Sequence, residues 1–189
     1  ISFINFKLRQ ICVFSIKKIM KSKKNLVLLG MMGSGKSTIG KLISKKLNMK
    51  LIDIDTVIEK EMNMKIAKIF SEKGEEFFRN LEEKITLRSL MHSSKVIALG
   101  GGGFINEKIR NEVIKNNFSL WLDWNSFSLI NRIKKNKKRP IAYNLSYNEM
   151  KELIEKRAKI YSKAQFKIRC DKITKTEILN RIAELYENN

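Results

Sequence analysis

A chain of 189 residues, 43% hydrophobic and 31% charged, is long enough for one domain with a real core and ordinary for a soluble globular protein. It has no run of about 18 apolar residues, so no membrane-spanning helix is expected. Cys12 and Cys170 lie too far apart for a zinc motif or a disulfide framework, which points to a reducing compartment. The net charge of +20 rests on lysine, which supplies 30 of the 39 basic residues. Lys, Asn and Ile are all favoured by AT-rich codons, so the charge reads as compositional drift, with nucleic-acid binding the minority reading.

Residues 1–24 carry seven cations and no acid. They read as upstream translation before Met20 or a flexible extension, rather than as a basic targeting peptide. The folded domain is expected over 25–189. Asn25–Leu29 (NLVLL) is a short buried strand. It runs into Gly30-Met31-Met32-Gly33-Ser34-Gly35-Lys36-Ser37, which matches G-x-x-x-x-G-K-[ST], and then into an amphipathic helix over Ser37–Leu47. That context is the one a phosphate-cradling loop needs. The glycines let backbone N–H groups curl around phosphate oxygens, and the helix start adds partial positive charge. Lys36 would reach the β- and γ-phosphates and the Ser37 hydroxyl would ligate Mg²⁺.

Lys50–Ile54 reads as a second strand ending in Asp53 and Asp55. Residues two apart in a strand face one side, so both carboxylates would point at one spot. One would serve the metal shell and the other would orient or deprotonate an acceptor hydroxyl. The alternative is that Asp55 simply caps the helix expected over Thr56–Met62. Further helices are expected over Ile66–Glu72 and, after a break at Gly74, over Glu75–Met91. His92 follows in a polar connection and reads as a surface residue. Lys95–Leu99 is a third strand running into Gly100–Gly103, where a ligand could approach the backbone closely.

A helix over Asn106–Lys115, a strand over Ser119–Leu122 and a helix over Phe127–Lys135 come next. A cationic stretch at about 134–148 contains the only proline, Pro140, and reads equally as a lid that closes over polyphosphate or as a solvated charge run. Glu149–Ala164 is helical, Phe166–Arg169 a strand and Thr174–Tyr186 the closing helix. Alternating strands and helices imply a parallel sheet covered on both faces, with ligands gathered at the carboxyl ends of the strands. Arginine is scarce in a lysine-rich chain, so Arg79, Arg132, Arg139 and Arg157 stand out as planar forks for carboxylate or phosphate. Arg88, Arg110 and Arg181 persist without an evident role.

Taken together, GMMGSGKST, LIDID, GEEFFRNLE, the glycines after a hydrophobic strand, RP in the lid and KRAKIY resemble the shikimate kinase family over about residues 25–187. The resemblance implies an α/β, three-layer P-loop kinase of the nucleoside monophosphate kinase-like fold, with a five-stranded parallel sheet in the order 2-3-1-4-5. It implies ATP-dependent phosphorylation of the 3-hydroxyl of shikimate, with Mg²⁺, on the route to chorismate and aromatic amino acids. On that resemblance Gly33, Ser34, Gly35, Lys36, Ser37 and Thr38 bind ATP, and Asp53 joins Ser37 at the metal. Asp55 binds the shikimate hydroxyls and acts as base. Arg79 and Arg157 hold the shikimate carboxylate, with Gly101 and Gly102 beside it. Arg139 reaches the transferred phosphoryl group from the lid, and Arg132 packs against adenine.

The chain departs from the family where Ala98-Leu99 stand in place of a frequent Thr or Ser, and the adenine loop near Asp171–Thr176 matches poorly. The family further implies a cytoplasmic monomer whose partners are shikimate and ATP, with no stable nucleic-acid or membrane partner.

Overall fold

The computed structural model describes residues 24–91, 94–135 and 145–189. His92, Arg139, Pro140, most of the expected lid and all but the last residue of the 1–24 segment lie outside the described residues.

Five parallel strands form one sheet in the order β2-β3-β1-β4-β5. They are β1 (Leu26–Leu29), β2 (Lys50–Asp53), β3 (Lys95–Ala98), β4 (Phe118–Asp123) and β5 (Phe166–Arg169). The expected order is therefore the observed one. The helices are α1 (Lys36–Lys46), α2 (Ile54–Met62), α3 (Ile66–Leu90), α4 (Glu107–Asn116), α5 (Ser126–Lys134), α6 (Tyr147–Tyr161) and α7 (Lys175–Asn188). A 3₁₀ turn, Gly103–Ile105, follows the glycines after β3.

Strand β1 occupies the centre because it can be buried on both faces. Leu26, Val27, Leu28 and Leu29 are all fully buried. Their alternation divides the core in two. Leu26 and Leu28 pack with Ile39 and Ile43 of α1 and with Ile178 and Ile182 of α7. Val27 and Leu29 pack with Ile58, Ile85, Ile109, Ile130 and Ile154 from α2 to α6. At roughly 1.5–3 kcal/mol for each large side chain taken out of water, this two-sided burial dominates what holds the layers together.

Chain ends of elements follow local chemistry. Asn106, Asn125, Ser146 and Thr174 cap α4 to α7, the last two in full capping boxes with Glu149 and Glu177. Gly74 interrupts α3 with φ 82° and ψ 170°, a backbone state that glycine adopts without strain, so the expected break is present. Beneath the sheet, Asn25 donates to Leu90 O and Asn117 Oδ1 and accepts from the Lys95 N–H, tying β1 to its neighbours.

One expectation is corrected. Strand β2 ends at Asp53, not beyond it, and Asp55 lies in the first turn of α2. The Asp53 carboxylate accepts the Thr56 N–H at 3.2 Å, which caps the helix and starts it at Ile54. The two aspartates therefore do not share a strand face. Capping explains Asp53, and Asp55 is the residue it leaves over.

Candidate active site

Strand β1 pairs with β3 on one side and β4 on the other. The loop after it thus emerges at the point where chain connections diverge to both halves of the sheet, where open α/β sheets place ligands. Gly33 and Gly35 hold φ of 81° and 90°, and Gly35 is the N-cap of α1. Only glycine adopts these angles cheaply, and the resulting curl leaves the α1 N-terminus at the loop. Lys36 is buried, and its Nζ donates to Gly30 O at 2.8 Å and Met31 O at 3.1 Å.

A cavity of about 610 Å³ opens over this loop, lined by Gly33, Ser34, Gly35, Lys36, Ser37 and Thr38 together with Trp124, Arg132, Ile173, Lys175 and Ile178. All the loop residues expected to meet the nucleotide line one space, as does Arg132. The Arg132 guanidinium lies 3.7 Å from the centre of the Trp124 ring and donates to Gly33 O at 3.4 Å. The indole N–H of Trp124 donates to Ser34 O at 3.0 Å. Next to Trp124, Asn125 donates through its backbone and its side chain to the Asp171 carboxylate, at 2.9 and 2.7 Å. Trp124 and Asp171 were not legible as site residues from the sequence. Trp124 sits in an unremarkable WLDWN, and Asp171 lies in the loop that matches the family poorly.

The second group gathers on the glycine turn after β3. Each of three successive glycines abuts a different side chain among those expected to meet the acceptor. A Cβ on Gly100 would lie 2.8 Å from Asp55 Oδ1 and would also collide with Glu82. The carbonyl of Gly101 accepts from Arg157 Nη1 at 3.3 Å and from the Tyr161 hydroxyl. A Cβ on Gly102 would run into the Arg79 guanidinium. Three helices, α2, α3 and α6, therefore deliver Asp55, Arg79 and Arg157 to one turn.

Glu82 organises this group. It is 3% exposed, and it accepts from Arg79 Nη1 at 2.7 Å. On the outer side Arg79 donates to Glu75 through Nε and Nη2, at 3.2 and 3.1 Å. Burial lifts the Glu82 carboxyl above the usual carboxylate range, against the pull of Arg79, and the charge of Asp55 adds to the lift. Burial also opposes the charge on Arg79, but Glu82 and Glu75 outweigh it and hold that guanidinium firmly protonated. Burial pushes Tyr161 up to about 12, so its hydroxyl stays a neutral donor to Gly101. Glu82 and Tyr161 were missed as site residues. Both carry the same signal, a polar group one helical turn beyond a predicted arginine, at i+3 from Arg79 and i+4 from Arg157.

Comparison with known proteins decides the family. The sequence model of one family, described as Shikimate kinase, matches residues 32–187. The chain belongs to the shikimate kinase family. A shikimate kinase of Bacillus subtilis is 41% identical over 170 residues, covering 86% of this chain and 88% of that one. A shikimate kinase of Sulfurihydrogenibium sp. is 40% identical over 159 residues, covering 84% and 95%. The solved shikimate kinase of Aquifex aeolicus superposes with a TM-score of 0.75 at 33% identity, covering 87% and 97% of the two chains. The shikimate kinase of Acinetobacter baumannii in complex with shikimate shares the fold, with a TM-score of 0.83 at 24% identity.

Two arginines without a role in the sequence have structural ones. Arg110 donates to Phe104 O and Ile105 O, at 3.3 and 2.9 Å, and so steadies the turn that follows the shikimate kinase glycines. Arg88 pairs with Glu61 between α3 and α2.

Proposed function

We propose how this chain performs its family's reaction, the ATP-dependent phosphorylation of the shikimate 3-hydroxyl to shikimate 3-phosphate on the route to chorismate and aromatic amino acids. The observation that carries the assignment is the meeting of Asp55, Arg157 and Arg79 at Gly100, Gly101 and Gly102, beside a phosphate loop at the same edge of the sheet. Two arginines outside the nucleotide loop suit an acceptor with a carboxylate, which a planar guanidinium can grip at two points.

In this assignment Gly33 to Thr38 cradle the ATP phosphates with their N–H groups. Lys36, drawn to the Gly30 and Met31 carbonyls here, turns its ammonium to the β- and γ-phosphates. Arg79 and Arg157 anchor the shikimate carboxylate, with Gly101 and Gly102 forming the floor. Asp55 takes the acceptor hydroxyl, orients its oxygen in line with the γ-phosphorus and accepts its proton. Phosphoryl transfer depends mainly on positioning and charge stabilisation, and these residues supply both. Arg139 serves the transferred group from the lid, and Arg132 meets the adenine base.

The donor set suits Mg²⁺. That ion takes one or two protein oxygens, keeps several waters and binds substrate phosphates. Ser37 is exposed to the nucleotide cavity, and the Asp53 cap employs one carboxylate oxygen of two. Ala98 is paired with Asp53 across the β2–β3 ladder, so the hydroxyl frequent in the family near the end of this strand is missing beside the aspartate. Bound there, Mg²⁺ would offset negative charge on the phosphates.

No helix among the described residues is long and apolar enough to cross a membrane. We assign the enzyme to the cytoplasm as a monomer, with no stable nucleic-acid or membrane partner. An ADP-release assay across shikimate, gluconate and nucleoside monophosphates tests the reaction directly. Turnover confined to shikimate is expected, and its absence with shikimate overturns the reading.

A further inference from the structure

Trp124 is half-buried at the mouth of the nucleotide cavity, and nothing in the reaction just described employs it. It is nonetheless held from several directions. Its N–H is fixed on Ser34 O, inside the phosphate loop. The neighbouring Asn125 is bound twice to Asp171, which ties the end of β4 to the loop after β5. Its ring face carries the Arg132 guanidinium at 3.7 Å. Arg132 is itself exposed, and arginine carries many rotamers that must be restricted before it can meet a flat ligand. Stacking on an indole restricts them, because the ring's negative face attracts the planar cation and the two planes match.

We propose that Trp124 is a positioning residue of the nucleotide site: its indole, anchored on the Ser34 carbonyl, holds Arg132 flat at the cavity wall, ready for the nucleoside base. The inference rests on the assignment of Arg132 to the base end of ATP. The anchor and the stack have separate jobs. The N–H sets the ring's orientation relative to the phosphate loop. The ring face then places the guanidinium at a fixed distance from the phosphates, which restricts the cavity to a ligand of matching length. Leucine at this position would fill part of the space with neither function. Phenylalanine would keep a face but lose the anchor.

Steady-state kinetics on Trp124→Leu, Trp124→Phe, Arg132→Ala and the Trp124→Leu/Arg132→Ala double variant test this. Trp124→Leu is expected to raise KM for ATP about five- to tenfold, the range of one exposed stacking contact plus one hydrogen bond. The kcat and the KM for shikimate should stay within about twofold, since the acceptor contacts are elsewhere. Trp124→Phe should restore part of the loss. In the Arg132→Ala background, Trp124→Leu should add less than about twofold, because its effect runs through the arginine.

Inhibition by inorganic tripolyphosphate, which has no base, should be nearly the same in all four proteins. Three results overturn the proposal while leaving Arg132 at the base: a full Trp124→Leu effect in the Arg132→Ala background, equal losses in kcat and both KM values, or tripolyphosphate inhibition weakened as much as ATP binding. A wild-type KM for ATP in Arg132→Ala removes the base assignment of Arg132 and the proposal with it.

Discussion

The nucleotide half and the acceptor half of the site are built on opposite plans. The phosphate-loop part of the nucleotide half is one continuous stretch, Gly30 to Thr38, whose shape comes from glycine dihedrals. The acceptor half is gathered from α2, α3, the glycine turn and α6, and it works through charged side chains held by an ion pair. A backbone cradle is set by the chain's own path and needs few supports. A side-chain cluster drawn from distant segments needs a scaffold such as Glu82, which makes no assigned contact with either substrate.

Substitutions should separate the two halves cleanly. The largest effect is expected at Asp55→Asn, which removes the base while keeping its shape. We expect kcat to fall about 10²- to 10⁴-fold with ATP affinity retained, read by turnover and by nucleotide titration. Turnover near wild type would remove Asp55 from the role of base. Lys36→Met should follow, with a loss of about 10²- to 10³-fold in kcat from one missing charge on the phosphates, while shikimate binding to the free enzyme persists.

Arg79→Lys keeps the charge and loses the fork. KM for shikimate should rise roughly tenfold, the worth of one charge-assisted hydrogen bond, with KM for ATP unchanged. A rise in both constants would show that the halves are not separable at this residue. Gly100→Ala presses a methyl against Asp55 and Glu82, and should cost about 1–3 kcal/mol in denaturant stability along with shikimate affinity.

The smallest effect concerns Glu82 and pH. Its pKa in the folded chain is raised by burial, so the folded protein holds this proton where the unfolded chain has released it. Stability from this group is therefore full below the ordinary glutamate range and is lost as pH rises through the raised value. Across that acidic window the margin of wild type over Glu82→Gln in urea unfolding should shrink as pH rises. A margin that widens would contradict the direction of the shift.

The same contrast decides which features are legible in the sequence. Local pattern is enough for the alternation of strands and helices, the phosphate loop and the Gly74 break, because each depends on neighbouring residues: an apolar strand, glycines before Lys36, or one glycine in a helical run. The sheet order is non-local and comes from the family resemblance. Asp53 and Asp55 stand out in the sequence, but the shared strand face expected of them is not the observed geometry. A period-two pattern cannot reveal that a capping hydrogen bond ends the strand one residue early. Glu82, Tyr161 and Trp124 escaped because their meaning lies in tertiary neighbours. A glutamate on a helix full of glutamates carries no mark of being buried under an arginine. The position of Arg139 lies outside the described residues, so its assignment rests on the resemblance alone.

Met31 belongs to the phosphate loop, yet it touches both sides of the reaction. Its carbonyl accepts from Lys36 at 3.1 Å, and its sulfur lies 3.6 Å from Arg157 Nη1. On the proposed assignment, ATP would draw Lys36 away from that carbonyl and so loosen the residue that Arg157 leans on. The two substrates would then be thermodynamically linked. Whatever factor ATP imposes on the affinity for shikimate, shikimate must return to ATP in equal measure. A thioether one residue into the loop would then let the chain read its two ligands as a pair.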